Sequence, residues 1–137
     1  MSCMLRVGGK KFDVDKFLAL SKLKPTDVFR KGEPRSKAKP NGKKNEISSI
    51  NISVSKADFT QVNKQIADAI KFLQKNKTEI RGLTQSLGVD NSELDFGIVK
   101  RNVAVQTDCL PPDLISLAGN LGLGISMTLY PNIDKEA

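Results

Sequence analysis

The chain has 137 residues, of which 39% are hydrophobic and 27% charged, and its formal net charge at pH 7 is +7. This balance argues against a disordered chain and against a membrane protein, and the length suits one compact domain. Histidine is absent, which removes the side chain that most often serves as a general base or a metal ligand.

The first part of the chain predicts a strand, a helix and a second strand. Residues 3–7 alternate between apolar and other side chains, and the glycines after them end this strand. Asp13 is placed to cap the following helix, Asp15 suits the positive end of the helix dipole, and Pro25 limits the helix. Residues 26–30 predict a short strand. The apolar face predicted for the helix consists of Val14, Phe17, Leu18 and Leu20.

Residues 31–45 separate this part from the next predicted strand. They include two prolines, two glycines and many cations, but no large hydrophobic residue. Such a segment has nothing to bury and its cations repel one another, so we expect a mobile loop. The alternation of residues 46–54 then predicts a strand with one buried and one solvated face. Its inward positions are Ile50, Ile52 and Val54.

The clearest helix signal follows this strand. Asp58 as the N-cap, with Gln61 three residues later, resembles a capping box. Apolar residues at three- and four-residue spacing predict a continuous buried stripe. The stripe consists of Phe59, Val62, Ile66, Ile70 and Leu73. A second, less regular helical piece presents Ile80, Leu83 and Leu87, and Gly88 suits its C-terminal stop.

The last part of the chain predicts a strand, a helix and a final strand. Residues 93–99 alternate, and the short apolar piece 103–105 extends this strand or forms a bulge in it. The prolines at 111–112 open a helix that Gly122 ends. The alternation of residues 125–129 predicts the last strand. The inward residues of the helix are Leu114, Leu117, Ala118 and Leu121.

The order β-α-β-β-α-β-α-β predicts an α+β fold. We expect a mainly antiparallel sheet of about five strands with two to four helices packed on one face. Residues 1–137 are predicted to form a single domain, with a flexible basic loop at about 31–45. The oligomeric state does not follow from the sequence. An exposed edge strand near 46–54 or 125–130 would offer a second copy a place to pair.

Several short motifs, spread along nearly the whole chain, together form a pattern that is typical of one group of proteins. They are Phe-Asp-Val-Asp at 12–15, Pro25-Thr26, Lys31-Gly32-Glu33, the segment Leu114–Leu123 with the spacing L-x-x-L-A-x-x-L-G-L, and Leu129-Tyr130. In these motifs the chain resembles a family of uncharacterised bacterial domains, a domain-of-unknown-function group. That family often has tryptophan near Phe29 and in the strand after the loop, and this chain has none. The resemblance implies an α+β fold and no established activity.

No pattern in the sequence predicts a catalytic or metal site. Cys3 and Cys109 are the only thiols, and two thiols without an imidazole fall short of the four ligands of a structural zinc site. We expect both to be reduced, in the cytoplasm. Asp13 and Asp15 would need a third carboxylate to hold a divalent cation, and helix capping explains them better. We therefore expect no cofactor, no metal and no catalysis; the sequence leaves open two carboxylates that meet only in the folded chain.

The excess positive charge is confined to one segment. Residues 1–50 contain thirteen Lys or Arg against five Asp or Glu, whereas residues 51–137 contain nine against ten. Within residues 30–44 seven cations face one acid, Glu33. The predicted binding residues are these seven: Arg30, Lys31, Arg35, Lys37, Lys39, Lys43 and Lys44.

Two functions fit this segment, and a solvated loop without a binding role is the simplest alternative to both. The first is a non-catalytic interaction module, immunity- or inhibitor-like, that binds an acidic protein surface. The second is sequence-independent nucleic-acid binding through residues 30–44. Aromatic residues make up only 5% of the chain, so stacking platforms for single strands are few. A small-molecule pocket would require polar side chains that converge in a cavity, which the sequence does not show. We expect no membrane partner, because no apolar run approaches the ~18 residues of a membrane span.

Overall fold

A computed structural model describes residues 2–132. The ends of the predicted domain, Met1 and residues 133–137, lie outside this part. The elements in chain order are β1 (Cys3–Gly9), α1 (Val14–Leu20), β2 (Asp27–Phe29), β3 (Ser48–Ser55), α2 (Val62–Lys75), α3 (Lys77–Thr84), β4 (Asn91–Val99), α4 (Pro112–Asn120) and β5 (Gly124–Tyr130). The predicted order of strands and helices is confirmed, and the less regular helical piece is a separate helix, α3.

The strands form one five-stranded sheet in the order β2-β3-β1-β4-β5. The pairs β2–β3, β3–β1 and β1–β4 are antiparallel, whereas β4 and β5 are parallel. The parallel pair requires a crossover connection, and α4 supplies it. The fold is therefore α+β with a mainly antiparallel sheet, as predicted.

The hydrophobic core lies on one face of this sheet. Alternate residues of the central strands point into it, because successive side chains of a strand face opposite sides. The strand residues of the core include Leu5, Val7, Ile50, Ile52, Leu94, Phe96 and Ile98. All four helices add buried residues to the same cluster, for example Phe17 of α1, Leu73 of α2, Leu83 of α3 and Leu114 of α4. The other face of the sheet carries mostly polar side chains.

The structure corrects the predicted start of the long helix. α2 begins at Val62, with Gln61 as a cap that makes no side-chain hydrogen bond. Asp58 does not cap the helix, because its Oδ1 accepts the Thr60 N–H at 2.8 Å in a local turn. Gln61 Oε1 accepts the Asp58 N–H at 3.2 Å, so one half of the predicted capping box does form. Phe59 therefore precedes the helix instead of joining its buried stripe.

Other apolar residues predicted to face the core lie at the surface. Leu20 is 77% exposed because it is the last residue of α1, and Leu87 is 94% exposed because α3 ends at Thr84 and Leu87 lies in the turn that follows. The piece 103–105 does not extend β4, which ends at Val99, and its two valines are exposed. The predicted strand 46–54 is β3, which lies between β2 and β1 and so is not an edge strand.

Candidate functional site

The predicted basic segment is the loop between β2 and β3, and backbone hydrogen bonds join its two arms. Three of these bonds are from Gly32 N–H to Asn45 O at 2.9 Å, from Asn45 N–H to Glu33 O at 2.8 Å and from Arg35 N–H to Lys43 O at 2.9 Å. Pro34 and Lys44 form an isolated antiparallel bridge between the arms. The loop therefore has a defined hairpin-like path, although none of its residues belongs to the hydrophobic core. Its mobility remains a prediction.

A tight turn and an amide side chain shape the base of this loop. Glu33 N–H donates to Arg30 O at 3.1 Å, and between them Gly32 has φ +86°, a conformation that glycine adopts without steric cost. Asn45 Nδ2 donates to the same Arg30 carbonyl at 3.0 Å, from the other arm. The two arms thus leave the sheet side by side, which keeps their cations close together.

Arg30 is engaged within the protein. Its Nη2 donates to Asp15 Oδ1 at 2.8 Å, and its Nε lies 3.2 and 3.3 Å from the two carboxylate oxygens. This hydrogen bond lowers the pKa of Asp15 and raises that of Arg30. The pair ties the start of the loop to α1, so Arg30 serves more to position the loop than to meet a partner.

The other six predicted cations are exposed to solvent. Lys44 Nζ donates to Pro40 O at 2.7 Å, a contact inside the loop. The remaining five have no ion pair or side-chain hydrogen bond within residues 2–132. These five are Lys31, Arg35, Lys37, Lys39 and Lys43, and we call them the free loop cations.

The fold brings two further lysines to the same end of the sheet. Gly9, the last residue of β1, pairs with Ser48, where the chain returns from the loop into β3. Lys10 and Lys11 follow Gly9 directly and are exposed. Sequence reasoning missed them because they lie some twenty residues before the loop; pairing the first strand with the strand after the loop would have found them. An acid also lies at this end, since Asp90 Oδ2 is 3.5 Å from the Lys10 N–H.

The charged groups on the polar face of the sheet are already bound to other side chains of the protein. Arg6 Nε donates to Asp95 Oδ2 at 3.2 Å, and Thr128 Oγ1 donates to Asp95 Oδ1 at 2.6 Å. Ser126 donates to the Glu93 carboxylate in the same way. Because these groups bind one another across neighbouring strands, this face offers a partner less unpaired charge than the loop does.

Asp13 and Asp15, the carboxylates considered for metal binding, have structural roles. Asp13 Oδ1 accepts the Lys16 N–H at 3.1 Å as a helix cap, and Asp15 pairs with the loop. Cys3 is fully buried, and burial, reinforced by the charge of Asp95, raises its pKa to about 12. Cys109 is exposed, and its Sγ lies 3.9 Å from the Leu110 carbonyl oxygen.

Residues 2–132 contain neither a cluster of metal-binding side chains nor a helix that could cross a bilayer. No group of three or more Cys, Asp or Glu side chains there is close enough together to hold a metal ion. None of the helices in this part combines the length and the hydropathy that crossing a bilayer requires.

Comparison with known proteins gives a family without an assigned activity. A family model described as a domain of unknown function, DUF4279, matches residues 1–132. No curated protein and no solved structure matches the chain. The match covers nearly the whole sequence and agrees with the resemblance seen in the motifs. The chain belongs to the DUF4279 family of domains of unknown function.

Proposed function

We propose that this protein is a non-catalytic interaction module of the bacterial cytoplasm that binds an acidic protein surface through residues 30–44. The observation that carries the proposal is the set of five free loop cations, which the hydrogen-bonded arms hold close together without an internal counterion among the described residues. Such a patch attracts an anionic partner and speeds its encounter.

The pairing of the two loop arms places two cations opposite each other. The Arg35 backbone N–H donates to the Lys43 carbonyl oxygen, and the neighbouring residues Pro34 and Lys44 form a β-bridge. Arg35 and Lys43 therefore lie opposite each other on the two arms. Like charges directly opposite in a ladder destabilise it. A carboxylate between them would relieve this repulsion, and arginine can bind it in a bidentate manner. The free protein thus holds an arrangement that an acidic partner stabilises.

An immunity or inhibitor protein is the specific role we propose. Such a protein needs a rigid body and an exposed recognition element, not a reactive centre. Here the sheet and helices form the body, and the Arg30–Asp15 pair fixes the loop to it. A reducing compartment agrees with the two cysteines, since Cys3 is buried and Cys109 is exposed and neither is in a disulfide.

The test is capture of a partner from extract of the native cells, followed by titration of the purified pair. In the loop variant, Lys37, Lys39, Lys43 and Lys44 are all changed to Gln. We expect the wild type to bind one acidic protein stoichiometrically and the loop variant to bind it at least tenfold more weakly, because each lost pair contributes roughly 0.2–1 kcal/mol. In the matched control variant, four exposed lysines outside the loop become Gln: Lys56, Lys64, Lys71 and Lys75.

Both variants have the same net charge, so a specific loop contact weakens binding in the first variant alone. Equal affinities of the two variants, or repeated capture of no protein, would refute the proposal.

Nucleic-acid binding through residues 30–44 is the alternative, and a duplex of random sequence distinguishes it. If the six exposed loop cations all met phosphates, the logarithm of the affinity would fall against the logarithm of salt concentration with a slope of about −5. Arg30 is left out of this estimate because Asp15 already neutralises it. A slope near zero with DNA, together with retained binding of an acidic protein, supports the protein partner.

A further inference from the structure

The outer edge of β5 lacks the usual protection of a sheet edge. β5 is the last strand of the sheet, and within residues 2–132 no strand pairs with its outer side. Its seven residues, Gly-Ile-Ser-Met-Thr-Leu-Tyr, include neither a charge nor a proline. Natural sheets usually protect an edge by short length, charge, proline or a bulge. The opposite edge, β2, follows that rule: it has three residues, and Asp27 is exposed.

The backbone groups that β5 directs outward can be assigned. Lys100 N–H donates to Tyr130 O at 2.7 Å, so the backbone of Tyr130 faces β4. Alternate residues of a strand direct their N–H and C=O groups to opposite sides. Ile125, Met127 and Leu129 therefore direct theirs away from the sheet, where they form a row of donors and acceptors.

The chain that forms this edge is almost uncharged, and the nearest carboxylates, Glu93 and Asp95 of β4, already accept hydrogen bonds from Ser126 and Thr128. From Pro111 to Asn132, which includes α4 and β5, Asp113 is the only charged residue, in a chain of which 27% is charged. Several large apolar side chains are exposed along the same stretch. They are Ile115 at 53%, Met127 at 37%, Leu129 at 60% and Tyr130 at 40%. A neutral, partly apolar edge of this kind suits a neutral, partly apolar strand.

We infer that β5 pairs in the antiparallel direction with β5 of a second copy, with the two-fold axis at Met127. In this register Met127 lies opposite itself and Ile125 lies opposite Leu129, so the apolar face continues across the junction. On the other face Ser126 lies opposite Thr128. Every outward backbone group then has a partner, which gives about six hydrogen bonds between the copies.

Other registers leave more of the outward backbone groups of β5 without hydrogen-bond partners. A shift by one residue places outward backbone groups opposite groups that already face β4. A shift by two residues leaves Ile125 or Leu129 without a partner at one end. The strand is thus complementary to itself in one register, as an isologous two-fold interface requires.

Charge also favours a second copy in this position. The free loop cations are on the loop between β2 and β3, the two strands of the sheet that lie farthest from β5. In a continuous ten-stranded sheet the two β2 strands would be about 43 Å apart, at about 4.8 Å per strand. Since the Debye length at physiological salt is about 8 Å, the two basic loops would barely repel each other. A charged partner strand would find no charged side chain on β5 itself, and the carboxylates of Glu93 and Asp95 beside it are already hydrogen-bonded within the protein.

The test is the mass of the purified chain in solution, measured by sedimentation equilibrium from micromolar to near-millimolar concentration. We expect a dimer of twice 15.0 kDa that persists at high salt. Met127→Lys places two ammonium groups together at the axis, and we expect it to weaken dimerisation at least tenfold while its circular dichroism spectrum stays that of the wild type. Leu87→Lys is the matched control, because Leu87 is 94% exposed and lines a cleft with Lys16 and Leu20 of α1, to which β5 contributes no residue; it should leave the dimer intact.

Disulfide trapping tests the register in a Cys109→Ser background. We expect Met127→Cys to form a covalent dimer faster than Leu87→Cys, since only the former lies opposite itself. A chain that stays monomeric throughout the concentration range, a dimer that Met127→Lys does not weaken, or equal trapping rates would each overturn the inference.

Discussion

Replacing Gln65 with leucine is expected to destabilise the protein, although leucine suits a helix and a buried position. Gln65 lies on α2 and has no exposed surface. Its Nε2 donates to Gly97 O at 2.8 Å and to Asp58 O at 3.1 Å. Gly97 N–H already bonds Ser2 O, just before β1 begins, so the glutamine amide takes the place of the missing strand partner at that end of β4.

The magnitude follows from the groups that lose a partner. A buried carbonyl left without a donor costs about 1–3 kcal/mol. Asp58 O still accepts the Gln61 N–H at 3.1 Å, so the larger part of the loss falls on Gly97 O. Gln65 Oε1 is buried and has no hydrogen-bond partner among the described residues, so its removal raises the unfolding free energy by about 1 kcal/mol. The expected net loss is about 2 kcal/mol.

The measurement is urea unfolding followed by circular dichroism, since the chain has no tryptophan and one tyrosine. Gln74→Leu on the same helix is the matched control, because Gln74 is exposed and its substitution should change the unfolding free energy by less than about 0.5 kcal/mol. If Gln65→Leu is as stable as Gln74→Leu, the Gln65 amide does not act as a strand partner for Gly97.

Three further predictions concern a cap, a pair of thiols and a close backbone contact. Asp13→Ala should lower the unfolding free energy by about 1 kcal/mol in the same urea assay, because α1 loses its side-chain cap; no change would contradict that role. Cys109 should react with a thiol reagent in the native protein and Cys3 only after unfolding. Burial raises the pKa of Cys3 from 9.0 to about 12, so the thiol's contribution to stability is complete below pH 9 and is lost as the pH rises towards 12. Between pH 8 and 10 the unfolding free energy of the wild type should therefore fall by about 1 kcal/mol more than that of Cys3→Ala. Gly9→Ala should prevent a stable fold, as measured by thermal melting, since a Cβ there would lie 1.9 Å from the Gly88 carbonyl oxygen; a normal melting curve would refute this close approach.

The candidate site was largely visible in the sequence, because a run of cations in one loop needs no long-range contact to be recognised. The engagement of Arg30 was not visible. Its partner, Asp15, lies in another element, and only the packing of α1 beside the loop brings the two together at 2.8 Å. Lys10 and Lys11 were missed for the same reason, since their nearness to the loop depends on the pairing of β1 with β3.

Local patterns in the sequence determined where strands and helices form. The alternation of residues 93–99 and the helical spacing from Val62 to Leu73 each reflect a single buried face, and a buried face imposes its period on neighbouring residues. Such patterns do not state which strands are neighbours.

The edge position of the strand at 125–130 was anticipated from the sequence, but the tertiary structure alone decided the sheet order, the parallel direction of β5, the burial of Gln65 and the exposure of Leu87. Each of these depends on contacts between residues far apart in the chain. A polar side chain is buried where distant carbonyls lack a donor, and an apolar one stays exposed where no other element reaches it.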